Sequence, residues 1–204
     1  MGLLSSSVSI ARYKVSGTLE NPVLQKVAKG LKEYAISEID ENVSEKTIGW
    51  TSFEDPFHPN FEGSSFAIGS QMVFSLRIDK KSIPAKVIKK YYAIEMAKKL
   101  TESGREYLTR NEKQALKENV VAMLSMRIPA TPNVYDLIWN HEESLVWFFS
   151  TQKAANEELE TLFYKSFDLP IVRLFPYTIA DLESDLSDTQ KDVLNKLSQT
   201  KFTE

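Results

Sequence analysis

The chain contains no cysteine, only two histidines, seven glycines and no long apolar run. Without cysteine there can be no disulfide framework, thiol nucleophile or thiolate metal site, which suits a reducing compartment. His58 and His141 each fall in a turn-forming composition with no second ligand at helical or hairpin spacing, so they read as loop histidines rather than catalytic or zinc-binding ones. Gly63 and Gly69 are not followed by Gly-Lys-Ser/Thr, which removes the phosphate-loop reading. No stretch approaches the roughly 18 apolar residues of a membrane span, and the opening Met-Gly-Leu-Leu-Ser-Ser-Ser has no basic region, so no signal peptide is expected.

With 204 residues, 42% of them hydrophobic, the chain can bury a full core. Its formal net charge is −3, yet the charge is unevenly placed. Residues 77–127 hold 13 Lys/Arg against 6 Asp/Glu, residues 1–76 hold 6 against 9, and residues 128–204 hold 6 against 13. Binding of a polyanion responds to the local field rather than to the total, so the basic middle is the place to look for function.

Alternation over Ser7–Val15 predicts a strand, and Asn21-Pro22 opens a helix to about Ala35 with Asn21 as its cap. Lys46–Phe53 reads as a second strand, and Phe66–Ile78 as two strands or one bent strand broken near Gly69-Ser70. Pro84 starts a long helix to Ser103, broken at Gly104. Thr109-Arg-Asn-Glu112 is a capping box opening another helix to about Met126. Val134–Trp139 and Leu145–Phe149 form a hairpin, Ser150 or Thr151 caps a helix to Phe167, and Leu169–Phe175 is a last strand. This order predicts an α+β fold with a mainly antiparallel sheet and long helices over residues 1–176, followed by an acidic tail, 177–204, with room for one short helix.

On the helix after Pro84, Lys86, Lys89 and Lys90 share one face, and on the next Arg110, Lys113 and Lys117 follow at i, i+3 and i+7. Arg77, Lys80 and Lys81 precede the first helix and Arg127 ends the second. Regularly spaced cations suit a phosphate backbone and carry no base specificity. The bland alternative is that lysines on helix faces only keep the protein soluble. Trp50, Trp139 and Trp147 lie in expected strands and read as core rather than stacking platforms. The carboxylates Glu157, Glu158, Glu160, Asp181, Glu183, Asp185 and Asp188 read as solvated faces and not as a nuclease metal site.

The segment Arg77-Ile-Asp-Lys-Lys-Ser-Ile-Pro84-Ala-Lys-Val-Ile-Lys89 resembles the RdgC family of recombination-associated DNA-binding proteins. Ile48-Gly49-Trp50, Glu112-Lys113, Leu116-Lys117, Arg127, Ile138-Trp139, Ala154 with Leu159, and Leu169-Pro170-Ile171-Val172 follow in family order over residues 7–176. The chain reads as a short form lacking the C-terminal part of longer members. The resemblance implies a dimeric ring around duplex DNA, bound with little sequence preference, in competition with RecA and without catalysis or a cofactor. It also implies a cytoplasmic, nucleoid-associated protein with no membrane partner. The basic residues it carries over are Arg77, Lys81, Lys89, Lys113, Lys117 and Arg127. Where the family can place an aromatic at the tip of a helical projection, this chain has Ile128-Pro129. Two readings stand beside this one: a protein-interaction module docking an acidic partner, and a DNA nuclease.

Overall fold

The computed structural model describes residues 2–183 and 186–197. Its sheet is built from β1 (Ala11–Val15), β2 (Lys46–Thr51), β3 (Ala67–Ile68), β4 (Gln71–Lys80), β5 (Thr131–Asn140), β6 (Leu145–Phe148) and β7 (Ile171–Leu174). The strands run antiparallel in the order β2-β4-β5-β6-β1-β7, with β3 paired to β4 through a turn at Gly69, whose φ of 63° is the left-handed region glycine favours. The expected α+β fold with an antiparallel sheet is what the chain adopts.

Helices α1 (Val23–Glu33) and α4 (Lys153–Phe167) pack together against one face of this sheet. Alternation decides which side chains they meet. Tyr13, Phe74, Leu76, Leu137, Trp139, Val146 and Phe148 point to the helices and are at most 2% exposed. Trp50, Phe74, Trp139, Phe163 and Phe167 form one aromatic cluster with ring centroids 4.8–6.4 Å apart, mostly edge to face. Each such ring buries on the order of 150–250 Å², about 4–6 kcal/mol gross at roughly 25 cal/mol per Å². Two of the polar tips are satisfied, Trp50 Nε1 donating to Ser166 Oγ at 2.7 Å and the Tyr13 hydroxyl to Asn156 Oδ1 at 2.5 Å, whereas the buried Trp139 Nε1 has no hydrogen-bond partner among the described residues. Gly30 sets the approach of the two helices, since a Cβ there would lie 2.5 Å from the Ser166 carbonyl oxygen and 2.9 Å from the Phe167 ring.

Two expected caps differ from those observed. Pro22 caps α1 and Gln152 caps α4, neither through a side-chain hydrogen bond. Asn21 is not at the cap because the helix starts one residue later than its pattern, and the hydroxyl of Ser150 turns instead to the Gln152 N–H at 3.2 Å. The acidic end holds two short helices rather than one, α5 (Pro176–Glu183) and α6 (Asp188–Lys196). A Ser187/Gln190 capping box opens the second, and Tyr177–Asn195 and Lys191–Asp181 contacts tie the two together. Asp185 and residues 198–204, part of the expected acidic tail, lie outside the described residues.

Candidate nucleic-acid interface

Between β4 and β5 the chain leaves the sheet and returns as a helical hairpin, α2 (Ala85–Ser103) and α3 (Arg110–Ser125). Helix α2 packs chiefly on α3 and has no fully buried residue. Val87, Ile88, Tyr91, Tyr92, Met96 and Leu100 are its half-buried stripe, matched on α3 by buried Leu116, Val120 and Leu124. Gly104 ends α2 with φ 65°, a left-handed turn that glycine adopts without strain.

The turn into α3 is fixed by charge. Glu112 accepts from the Arg105 guanidinium at 2.7 Å and from the Thr109 N–H at 2.8 Å, while Thr109 Oγ1 accepts from the Glu112 N–H at 3.3 Å. These bonds, Arg105's first, hold the Glu112 carboxyl at about 2, well below its ordinary 4.5. The tip of the projection is this 104–109 turn, and its aromatic residue is Tyr107, 75% exposed. Ile128-Pro129 lies instead at the root of the hairpin, just before β5, so the expectation that it marks the tip is corrected.

Lys89, Lys113, Lys117 and Arg127 are exposed, as are Lys86, Lys90 and Arg110. Among the described residues none of these cations has an ion-pair partner. Arg110, Lys113 and Lys117 line an open cleft of about 530 Å³ with Tyr92, Asn111 and Gln114. The Gln114 amide donates to Glu118 Oε1 at 2.7 Å, which leaves one carboxylate at the margin of an otherwise cationic groove. The N-terminal turn of α3 also directs its dipole this way, adding to a field suited to an anion. Tyr92, Asn111 and Gln114 escaped sequence reasoning because no charge periodicity marks them.

Arg77 and Lys81 are elsewhere. Arg77 is 4% exposed, bidentate to Asp79 at 2.9 and 2.6 Å, and bonded to Glu38 at 3.0 Å and the Pro56 carbonyl at 3.3 Å. Phe57 lies over its guanidinium at 5.2 Å. Burial works against its charge, but Asp79 and then Glu38 outweigh this and hold the proton more firmly than in free arginine. Lys81 is 9% exposed and donates to the carbonyls of Asp40, Asn42 and Ser125 at 3.0, 2.8 and 2.5 Å. Asp40 Oδ1 also accepts from the Ala130 N–H at 2.7 Å. Loop 36–45 therefore fastens both roots of the hairpin, and the charges of Arg77 and Lys81 serve this fastening rather than an outside ligand. The exposed part of the expected cation set reduces to Lys89, Lys113, Lys117 and Arg127.

Elsewhere, His58 Nδ1 sits 2.9 Å from Asp55 in an exposed turn. Among the described residues, no three His, Asp or Glu side chains are grouped to hold a metal ion, and no helix is long and apolar enough to cross a membrane.

An antiparallel sheet backed by two helices, with a cationic helical hairpin inserted between its central strands, defines a scaffold that presents charge at a distance from its core. The family described as "Putative exonuclease, RdgC" matches residues 9–186, and the chain belongs to that family. A curated relative, the "Recombination-associated protein RdgC" of Mannheimia succiniciproducens, is 32% identical over 129 residues. That alignment covers 62% of this chain and 41% of the relative's length.

Proposed function

We propose that this chain is a non-enzymatic protein that binds duplex DNA with little sequence preference, acting in recombination or replication upkeep as a homodimer that competes with RecA for DNA. The observation that carries the reading is a set of exposed cations on one projecting hairpin, Lys89, Lys113, Lys117 and Arg127, without ion-pair partners among the described residues. The cations repeat along two helices at an axial rise of about 1.5 Å per residue, which fits regularly placed phosphates better than a single small anion. The relative's name, a recombination-associated protein, gives the process. The reading further places the protein in the cytoplasm, at the nucleoid.

Fluorescence anisotropy with duplexes of unrelated sequence, titrated with salt, tests this. Affinity should fall steeply and equally for all sequences as salt rises. Replacing Lys89, Lys113 and Lys117 by Ala should lower the magnitude of the log–log salt slope by roughly one unit per lysine. Lys153, Lys165 and Lys191 are the controls, two of them already paired with Glu157 and Asp181. Indifference to DNA together with binding to an acidic protein would leave an interaction module. Metal-dependent degradation that survives purification and vanishes with one Asp or Glu substitution would establish a nuclease. Light scattering that gives a monomer mass with and without DNA would remove the dimer.

A further inference from the structure

The sheet face turned away from α1 and α4 is not uniformly covered. At one end the 52–66 loop lies over Val73 and Arg77, and Leu3 N–H donates to Asp136 at 2.7 Å. At the other end, Trp147 stands 44% exposed between Val146 and Phe148, which are fully buried on the opposite face. It pairs in register with Arg12 on one side and Ile138 on the other. This is the one tryptophan of the three that does not join the core.

Beside Trp147 lies a depression of about 290 Å³ lined by Ile138 and Leu145 and, at its edge, by Gln71, Asn140 and Glu143. Its size is at the small end of ligand pockets, enough for one planar ring system and too little for a partner's helix. The edge is polar and adaptable. Asn140 Oδ1 accepts from the Glu143 N–H at 3.1 Å, which leaves the Asn140 amino group as a donor, and among the described residues the side chain of Gln71 makes no hydrogen bond. Arg12, exposed, has no ion-pair partner among the described residues, and Lys14 Nζ donates to the Glu143 carbonyl at 3.2 Å.

An aromatic face, an amide-and-carboxylate edge and an adjacent free cation are three separate requirements of one ligand class. We propose that this depression takes a single unstacked nucleobase, from a single-stranded nucleic acid or a free nucleotide, stacked on Trp147 with Arg12 beside it for the phosphate. Glu143 accepts hydrogen bonds and the Asn140 amino group donates, so cytosine, with an amino donor beside its N3 acceptor, is favoured over thymine, whose one N3–H lies between two carbonyls. The site lies at the Gln71 end of β4, whereas the hairpin leaves from Lys80. A ten-residue strand separates the two by about 30 Å. The site therefore stands independently of the duplex surface.

Intrinsic fluorescence reads the site directly, because Trp50 and Trp139 are buried and Trp147 is not. Oligo(dC) of twelve nucleotides should quench the emission and oligo(dT) should do so less strongly. Trp147→Ala should abolish the quench and weaken single-strand binding roughly 5- to 150-fold, the range of one base–aromatic stack. Arg12→Ala should weaken it and reduce its salt dependence, and Trp147→Phe should retain most of it. Quenching by dCMP alone would identify a nucleotide site, whereas quenching by the oligomer only would identify a strand site. An unchanged single-strand affinity in Trp147→Ala sinks the proposal. So does a fall in solution mass on that substitution, which would make the face an interface between copies. Lys89, Lys113 and Lys117 replaced by Ala should leave the quench intact, so failure of duplex binding and failure of this site can be told apart.

Discussion

Helix α4 buries Ala155, Asn156, Leu159, Leu162, Phe163 and Phe167 in 15 residues, while α2, with 19, buries none. Both are regular helices with comparable shares of apolar residues, and the difference is what lies opposite. Helix α4 meets a sheet and α1 together; α2 meets α3. A helix covered on one side by a single partner keeps the rest of its circumference in water, and there the lysines stand. Charge is handled differently as well. In the sheet Arg77 is buried against Asp79 and Lys46 pairs with Glu158, while Arg12 stands exposed. On the outer hairpin Lys89, Lys113 and Lys117 are exposed and, among the described residues, unpaired.

The comparison is broken most forcefully at Arg77. Arg77→Ala leaves Asp79, 1% exposed, as an unpaired buried carboxylate, and should cost about 3–5 kcal/mol in urea unfolding. Replacing the pair together by Met and Leu should recover much of this, whereas Lys113→Ala should stay within about 0.5 kcal/mol. If Arg77→Ala unfolds as the unmodified protein does, the buried pair is not what holds this end of the sheet.

The next effect concerns close approach. Gly30→Ala forces a methyl group against the Ser166 carbonyl and the Phe167 ring and should cost about 1–3 kcal/mol, seen as a lowered Tm. Alanine is otherwise the better helix residue by about 1 kcal/mol, so a raised Tm would show that α1 and α4 are looser than their geometry.

The smallest effect is a pH dependence at the hairpin tip. The Glu112 carboxyl is held at about 2, below its ordinary 4.5, by Arg105 and then Thr109. A depressed carboxyl contributes its stability in full above 4.5 and loses it as pH falls through 2. The amide protection factor over residues 105–112, taken relative to the intrinsic exchange rate at each pH, should therefore fall between pH 4.5 and 2 while α4 stays protected, and Glu112→Gln should flatten that response. An equal loss of protection in α4 would mean global acid unfolding rather than a local event.

Much of this was legible in the sequence because its causes are local. The Thr109/Glu112 box, the Gly104 stop, the turn at Gly69 and the cation rows of α2 and α3 each depend on residues a few positions apart. Arg77 and Lys81 were misread because their partners Glu38, Asp40 and Asn42 lie about forty positions away. One signal was present: Arg77 and Asp79 alternate on the same face of a strand with no other charge before Lys80, a pattern that favours pairing. Trp147 was misread for a related reason. Strand propensity gives a residue's element, but which face a helix later covers is decided by the register of β6 between β5 and β1.

Strands β4 and β5 pair without a slip from Gln71 opposite Asn140 to Lys80 opposite Thr131. Everything from Lys81 to Ala130 is thus, topologically, an overgrown β-turn whose ends the sheet already holds side by side. Closing such a loop costs only about 0.6 kcal/mol more for each doubling of its length. The insertion can accordingly lengthen, shorten or change its charge while the strand register stays fixed, provided loop 36–45 keeps its grip on Lys81 and Ala130. The protein is built so that the reach of its cationic arm and the stability of its core vary as separate quantities.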